Sequence, residues 1–293
     1  MLKLFAIALA VLALALAGVA IAYRISPLHT FNTLAPRDGG STVAARGIAF
    51  GSHERQRLDI YRPRIARDGA PVIVFFYGGS WNSGTRTGYD FVGRALAAQG
   101  FITVIPDYRL VPGVVYPAFL EDGAAAVRWV RENIAEHDGD PDRIVLMGHS
   151  AGAYNAAMLA LDPRWLGQDR SAIRGMVGLA GPYDFLPLDT PATRAAFGQE
   201  ENLAETQPVT HASASAPPLL LLTGEDDRTV RPRNSESLAR ALTEAGGKAE
   251  VVRYDGVDHI AIVAALSRPL RRRAPVLEDA VRFARRVTAT PSS

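Results

Sequence analysis

Residues 143–162 read RIVLMGHSAGAYNAAMLALD, and the fold turns on what surrounds the serine in their middle. An apolar run, Ile144 to Met147, leads into Gly148-His149-Ser150-Ala151-Gly152, and a stretch rich in small residues follows. A strand that ends in a glycine-flanked serine and continues as a helix is the setting of a strained turn with an exposed hydroxyl. The pentapeptide alone is weak, because a chain of this length holds a G-x-S-x-G by chance on the order of one time in ten. The flanks carry the argument. Side chains at positions 148 and 152 would collide with the neighbouring strand and helix, so glycine is needed there. The helix start offers N–H groups and a positive dipole end beside the serine.

Outward from this turn, strand and helix alternate. Upstream, "GIAFG" and "RLDIYRP" suggest an opening hairpin, "APVIVFFYGG" a strand buried on both faces, "FVGRALAAQG" a helix stopped by Gly100, and "FITVIPDYRL" another strand. "FLEDGAAAVRWVRENIAEH" is helical, and "DGDPDR" is a turn before the central strand. Downstream, "IRGMVGLAG", "PPLLLLTGE" and "AEVVRYDGV" read as strands, with helices at "SESLARALTEAGG" and "VLEDAVRFARRV". This rhythm defines an α/β chain with a mainly parallel sheet. Residues 185–216 break it with Pro187, Pro191 and Pro208, and form a candidate cap.

The chain has 293 residues, 48% hydrophobic and 21% charged, which suits one large α/β domain with a sizeable core. A net charge of +2 gives no support to a nucleic-acid binder. The absence of cysteine removes disulfides, thiolate nucleophiles and Cys-ligated zinc, and leaves the redox compartment unreadable. Leu4 to Ala22 carries no charged or polar residue, and its length suits a membrane-spanning helix of about 20 residues better than a signal core of about 7 to 15. Ala20-Ile21-Ala22 offers a signal-peptidase site as the alternative. The expected organisation is a membrane or signal segment at 1–25, a tether at 26–46 and a catalytic domain at 47–290. The catalytic domain is expected outside the cytoplasm, anchored to the membrane or released after cleavage. One flanking Lys and one flanking Arg leave the orientation open.

From about residue 47 to 288 the chain resembles the α/β-hydrolase superfamily, and within it the small serine carboxylesterases of hormone-sensitive-lipase-like and feruloyl-esterase-like (BD-FAE-like) type. The resemblance implies a mainly parallel sheet with helices on both faces and a small cap. It rests on the elbow and on three further motifs. "FFYGGSW" at 75–81 is similar to the family's H-G-G-[GS]-W, which implies an oxyanion hole from the N–H groups of Gly79, Ser80 and Ala151; Tyr77 stands where the family has His. "LLTGEDDRTV" at 221–230 matches strand-G-x-x-D-x-x-V, which implies Asp227 as the acid, with Asp226 its rival. "YDGVDHI" at 254–260 implies His259 as the base. The order Ser150, Asp227, His259 is that of α/β-hydrolases.

These residues imply hydrolysis of a small-molecule carboxylic ester through an acyl-enzyme, with neither metal nor organic cofactor. A serine peptidase or amidase, or a catalytically silent hydrolase-fold binding protein, remain the alternatives. Trp81 and His149 are expected to touch substrate, His149 from a packing or rim position rather than as the base. Asp184 is a weaker candidate acid, Asp107 and Arg109 read as structural, and His29, His53, His137 and His211 as solvated. The run Arg268, Arg271, Arg272 and Arg273 reads as a solvated face, with anionic lipid as the alternative. The oligomeric state is not legible.

Overall fold

The computed structural model describes residues 5, 9, 11, 17, 18, 27–65 and 68–289. The expected membrane segment therefore lies almost wholly outside the described residues. Of its few described positions, Phe5, Leu9 and Val11 are helical and exposed. Among the described residues no helix is long and apolar enough to cross a membrane.

Eight strands form one sheet: β1 Ser41–Ala49, β2 Arg57–Pro63, β3 Ala70–Phe76, β4 Ile102–Pro106, β5 Gly139–His149, β6 Ile173–Leu179, β7 Leu219–Gly224 and β8 Ala249–Tyr254. Their order across the sheet is β1-β2-β4-β3-β5-β6-β7-β8. The β1–β2 and β2–β4 pairings are antiparallel, and all others are parallel. The apolar runs sit in the parallel part because those strands are covered on both faces.

Period-two alternation divides each central strand between two cores. Ile73, Phe75, Val145, Met147, Leu220 and Leu222 join one cluster with α2 (Asp90–Ala97) and α8 (Val276–Val287). Val72, Val74, Phe76, Ile144, Leu146, Leu219 and Leu221 join the other. There they meet α3 (Ala118–Asn133), α4 (Ala151–Leu161) and α6 (Arg233–Glu244). Every residue of α4 is buried, which its Ala- and Gly-rich sequence permits by letting the helix lie close to the sheet.

The expected tether is largely structured. Pro27–Leu34 forms a helix, α1, and β1 begins at Ser41 rather than near Gly47. Phe31 meets Phe91 edge to face at 5.5 Å, and Asn32 accepts from the Phe91 N–H while donating to the Thr87 carbonyl. Arg271, expected on a solvated face, donates to Asp38 in this same region. The "DGDPDR" turn also differs from expectation, since β5 begins at Gly139 within it.

Candidate active site

The β5–α4 junction places Ser150 at φ 53° and ψ −125°, a conformation that costs a non-glycine residue about 1–3 kcal/mol. Its N–H donates to the Leu179 carbonyl at 2.9 Å, and its own carbonyl accepts from Ala153 and Tyr154. The flanking glycines are steric requirements. A methyl on Gly148 would lie 2.2 Å from the Gly152 carbonyl oxygen, and one on Gly152 would lie 2.1 Å from that of Phe76. The strain is held by backbone contacts on three sides.

Two other sheet ends deliver the partners. Asp227 follows β7 and is 3% exposed, whereas its rival Asp226 is exposed. One Asp227 oxygen accepts from the N–H groups of Thr229 and Val230 at 2.9 and 2.8 Å. The other accepts from His259 Nδ1 at 2.7 Å. His259 opens α7 (His259–Ala264), which Asp258 caps by accepting from the Ile260 and Ala261 N–H groups. With Nδ1 protonated towards Asp227, His259 Nε2 accepts from the Ser150 hydroxyl at 2.9 Å. Asp184, the weaker candidate acid, takes no part in this chain; its N–H donates to Asn234 Oδ1.

The β3–α2 loop carries the remaining expected residues. Gly79, Ser80 and Trp81 all have positive φ, at 136°, 51° and 59°. The Gly79 carbonyl turns back to accept from Asn82 and Ser83. Among the described residues, no protein acceptor takes the N–H of Gly79, Ser80 or Ala151. Ser80, Trp81, Ser150 and Ala151 line one cavity of about 410 Å³. Phe185, Pro187 and Thr193 from the expected cap stretch also line it, and α5 (Pro191–Phe197) stands beside it. Trp81 packs edge-on to Phe197 at 4.9 Å and donates from its indole N–H to Asn155 at 3.2 Å.

The bracing of this loop lay beyond sequence reasoning. Tyr77 is fully buried, stacks on Tyr108 at 4.8 Å, donates to Asp107 at 2.9 Å and accepts from Arg55 at 2.8 Å. Burial pushes its phenol well above the usual range, so it remains a donor. Asp107 also accepts from the Arg86 backbone and guanidinium. Arg86 continues to Asp59, which Arg46 also reaches. Asp107 and Arg109 are structural as expected, Arg109 through its pairing with Asp122.

His149 is not at the cavity. It is 2% exposed, lies behind His259 with ring centroids 4.9 Å apart, and donates from Nε2 to the His259 carbonyl at 2.9 Å. The expectation that it touches substrate fails, because a residue before the turn points into the packed side of the elbow. His211, expected to be solvated, is half-buried, with Nε2 at 2.8 Å from the Glu205 carbonyl.

Burial, reinforced by His259, lowers the His149 pKa from 6.5 to about 3. The unfolded chain takes up this proton near pH 6.5, so the contribution to stability is fully present above that pH and is lost as pH falls towards about 3. About 2 kcal/mol is lost by pH 5. Chemical unfolding at pH 7 and pH 5 checks this: the loss of stability between them is smaller by about that amount in His149→Gln. An equal loss in both proteins would assign the acid sensitivity elsewhere.

The sheet order, the elbow after β5 and the acid and histidine after β7 and β8 define the α/β-hydrolase fold. The chain belongs to the BD-FAE family, whose model matches residues 58–242. Among curated relatives it is 32% identical to a probable isoprenylcysteine alpha-carbonyl methylesterase of Arabidopsis thaliana, over 75% of this chain and 51% of that protein. It is 30% identical to esterase LipC of Mycobacterium tuberculosis, over 68% of this chain and 55% of that one. The chain thus spans little more than half the length of these two relatives. Among solved structures, a truncated carbohydrate esterase from gut microbiota superposes with a TM-score of 0.76 at 20% identity, covering 87% of this chain and all of that one, a likeness of fold. Esterase 2 of Thermogutta terrifontis gives 0.70 at 25% identity, covering 88% of this chain and 98% of that one.

Proposed function

We propose that the chain is a serine carboxylesterase. The observation that carries this reading is the continuous hydrogen-bonded line from Asp227 through His259 to Ser150, ending at a cavity wall beside unpaired N–H groups. In this reading His259 Nε2 takes the Ser150 proton as Oγ attacks the ester carbonyl. Asp227 holds the tautomer and stabilises the imidazolium. The N–H groups of Gly79, Ser80 and Ala151 receive the developing oxyanion, each contributing roughly 3 kcal/mol to the barrier reduction. His259 then protonates the departing alcohol, and a water activated by the same nitrogen releases the acid from the acyl-enzyme. The esterase names of its relatives support the same chemistry.

A panel of para-nitrophenyl esters and para-nitroanilides of matched acyl groups tests the assignment. The reading expects turnover of esters with anilides slower by orders of magnitude; anilide turnover equal to or above ester turnover would make this an amidase. An extracytoplasmic location belongs to the same proposal and rests on the uncharged run Leu4 to Ala22. Partitioning of the full-length protein into membranes, with the catalytic domain open to protease added outside, tests it. A protein recovered wholly in the cytosol contradicts it.

A further inference from the structure

One wall of the cavity is basic. Arg228 and Arg231, from the segment between Asp227 and α6, and Arg233, the first residue of α6, line it together with Ser150 and Ala151. All three side chains are exposed, and among the described residues none has a carboxylate within ion-pairing distance. Among the described residues Asp226, two residues before Arg228, makes no ion pair with any of the three, and the other acids nearest in sequence are engaged elsewhere. Glu225 and Glu236 both pair with Arg253, at 3.0 and 2.9 Å, while Asp227 is committed to His259 and two backbone N–H groups. The cavity lining contains one carboxylate, Asp189, against these three guanidinium groups.

The placement is also unfavourable for the fold alone. Arg231 and Arg233 sit at the start of α6, a 12-residue helix whose N-terminal dipole end is positive and disfavours cations. The like charges of Arg231 and Arg233 at that end, with Arg228 on the same cavity lining, repel one another, and Glu236 in the first turn of the helix is paired with Arg253 rather than with them. An anion in the cavity would relieve the repulsion and accept forked N–H donors from more than one guanidinium.

We infer that the substrate is an ester bearing an anionic oxyacid group, a carboxylate or phosphate, which Arg228, Arg231 and Arg233 receive while Ser150 attacks the ester carbonyl. This rests on the ester-hydrolase reading above and deepens it by naming the substrate class. The arginines are specificity residues: they hold the charged end and take no part in proton transfer. Their field also draws anionic esters towards the cleft, an effect that salt weakens.

The test compares esters matched except for charge. The mono-para-nitrophenyl ester of glutaric acid is set against para-nitrophenyl pentanoate, which probes an anionic acyl part. Para-acetoxybenzoate and para-acetoxyphenyl phosphate are set against para-tolyl acetate, which probes an anionic alcohol part and separates carboxylate from phosphate. The proposal expects kcat/KM to favour the anionic member of at least one pair by about tenfold at low salt. That ratio falls about threefold in each of Arg228→Gln, Arg231→Gln and Arg233→Gln, and about tenfold or more in the triple variant. Raising ionic strength lowers the ratio in wild type and hardly alters it in the triple variant. Thermal unfolding verifies the triple variant's fold, and the single variants carry the test if it is impaired. Neutral esters turned over as well as their anionic partners in every pair, or an anionic preference that survives the substitutions, overturns the proposal and leaves the esterase reading standing. Failure to turn over any ester removes the esterase reading and this proposal with it.

Discussion

Ser150→Ala is expected to leave a folded protein whose ester turnover is lower by about 10⁴-fold or more. The expectation follows from the geometry at the elbow. Ser150 Oγ is the atom that His259 Nε2 reaches at 2.9 Å, and removing it leaves the imidazole with nothing to deprotonate except water. Alanine keeps the backbone contacts that fix the turn, namely the N–H to Leu179 and the carbonyl shared by Ala153 and Tyr154. The unfolding transition should therefore stay near wild type while kcat collapses. Residual rate above water would come from the unpaired N–H groups and from substrate positioning. Steady-state kinetics on one ester with parallel thermal unfolding checks both halves, and an alanine variant within tenfold of wild type would require another nucleophile.

The second large effect is expected at Asp227→Asn, with a loss of about 10⁴-fold in kcat. One Asp227 oxygen accepts from the N–H groups of Thr229 and Val230, while the other faces His259 Nδ1. An asparagine satisfies the two backbone donors only by placing its carbonyl oxygen there, which turns its NH₂ towards His259. Nδ1 must then be the acceptor, so Nε2 carries the proton and can no longer take one from Ser150. Asp226→Asn, one residue earlier with an exposed side chain, should stay within about twofold of wild type. Side-by-side kinetics of the two variants decides the matter, and a reversed order of effects would move the acid by one position.

The parts of this molecule that were legible in its sequence are those with local causes. Buried strands on the parallel side need apolar side chains on both faces, so runs such as Ile144 to Met147 and Leu219 to Leu222 declare themselves. The elbow is legible because steric exclusion at Gly148 and Gly152 restricts the residue type at fixed offsets from Ser150. Asp227 and His259 follow strand ends, and their positions come from the family motifs that the sequence resembles. β1 was hidden for the opposite reason. It is an edge strand, mostly half-buried, with register shifts that interrupt its alternation, so Ser41 to Arg46 resembles a linker in composition. α1 is held by contacts with residues more than fifty positions away, which leave no local pattern.

The site shows the same division. The residues of the hydrogen-bonded line from Asp227 through His259 to Ser150 were found from motifs, whereas the support for the loop at 77–81 was not. Tyr77 replaces an expected histidine and is held by Arg55, Tyr108 and Asp107, and the line continues through Arg86 to Asp59, a network assembled from four separate segments. At His149 the packing position was legible, because backbone direction at the elbow sends neighbouring side chains to opposite sides, but the expected contact with substrate is not met. Arg228, Arg231 and Arg233 belong to no motif, and only the cavity shows that they share its lining with Ser150 against a single carboxylate, Asp189.

The most direct test of the central claim is covalent. Treating the folded protein with a fluorophosphonate and mapping the modified peptide should find one phosphonylated residue, Ser150, with labelling abolished by prior heat denaturation and by His259→Ala. A protein left unlabelled under conditions where it turns over esters, or labelled at another residue, would contradict the account.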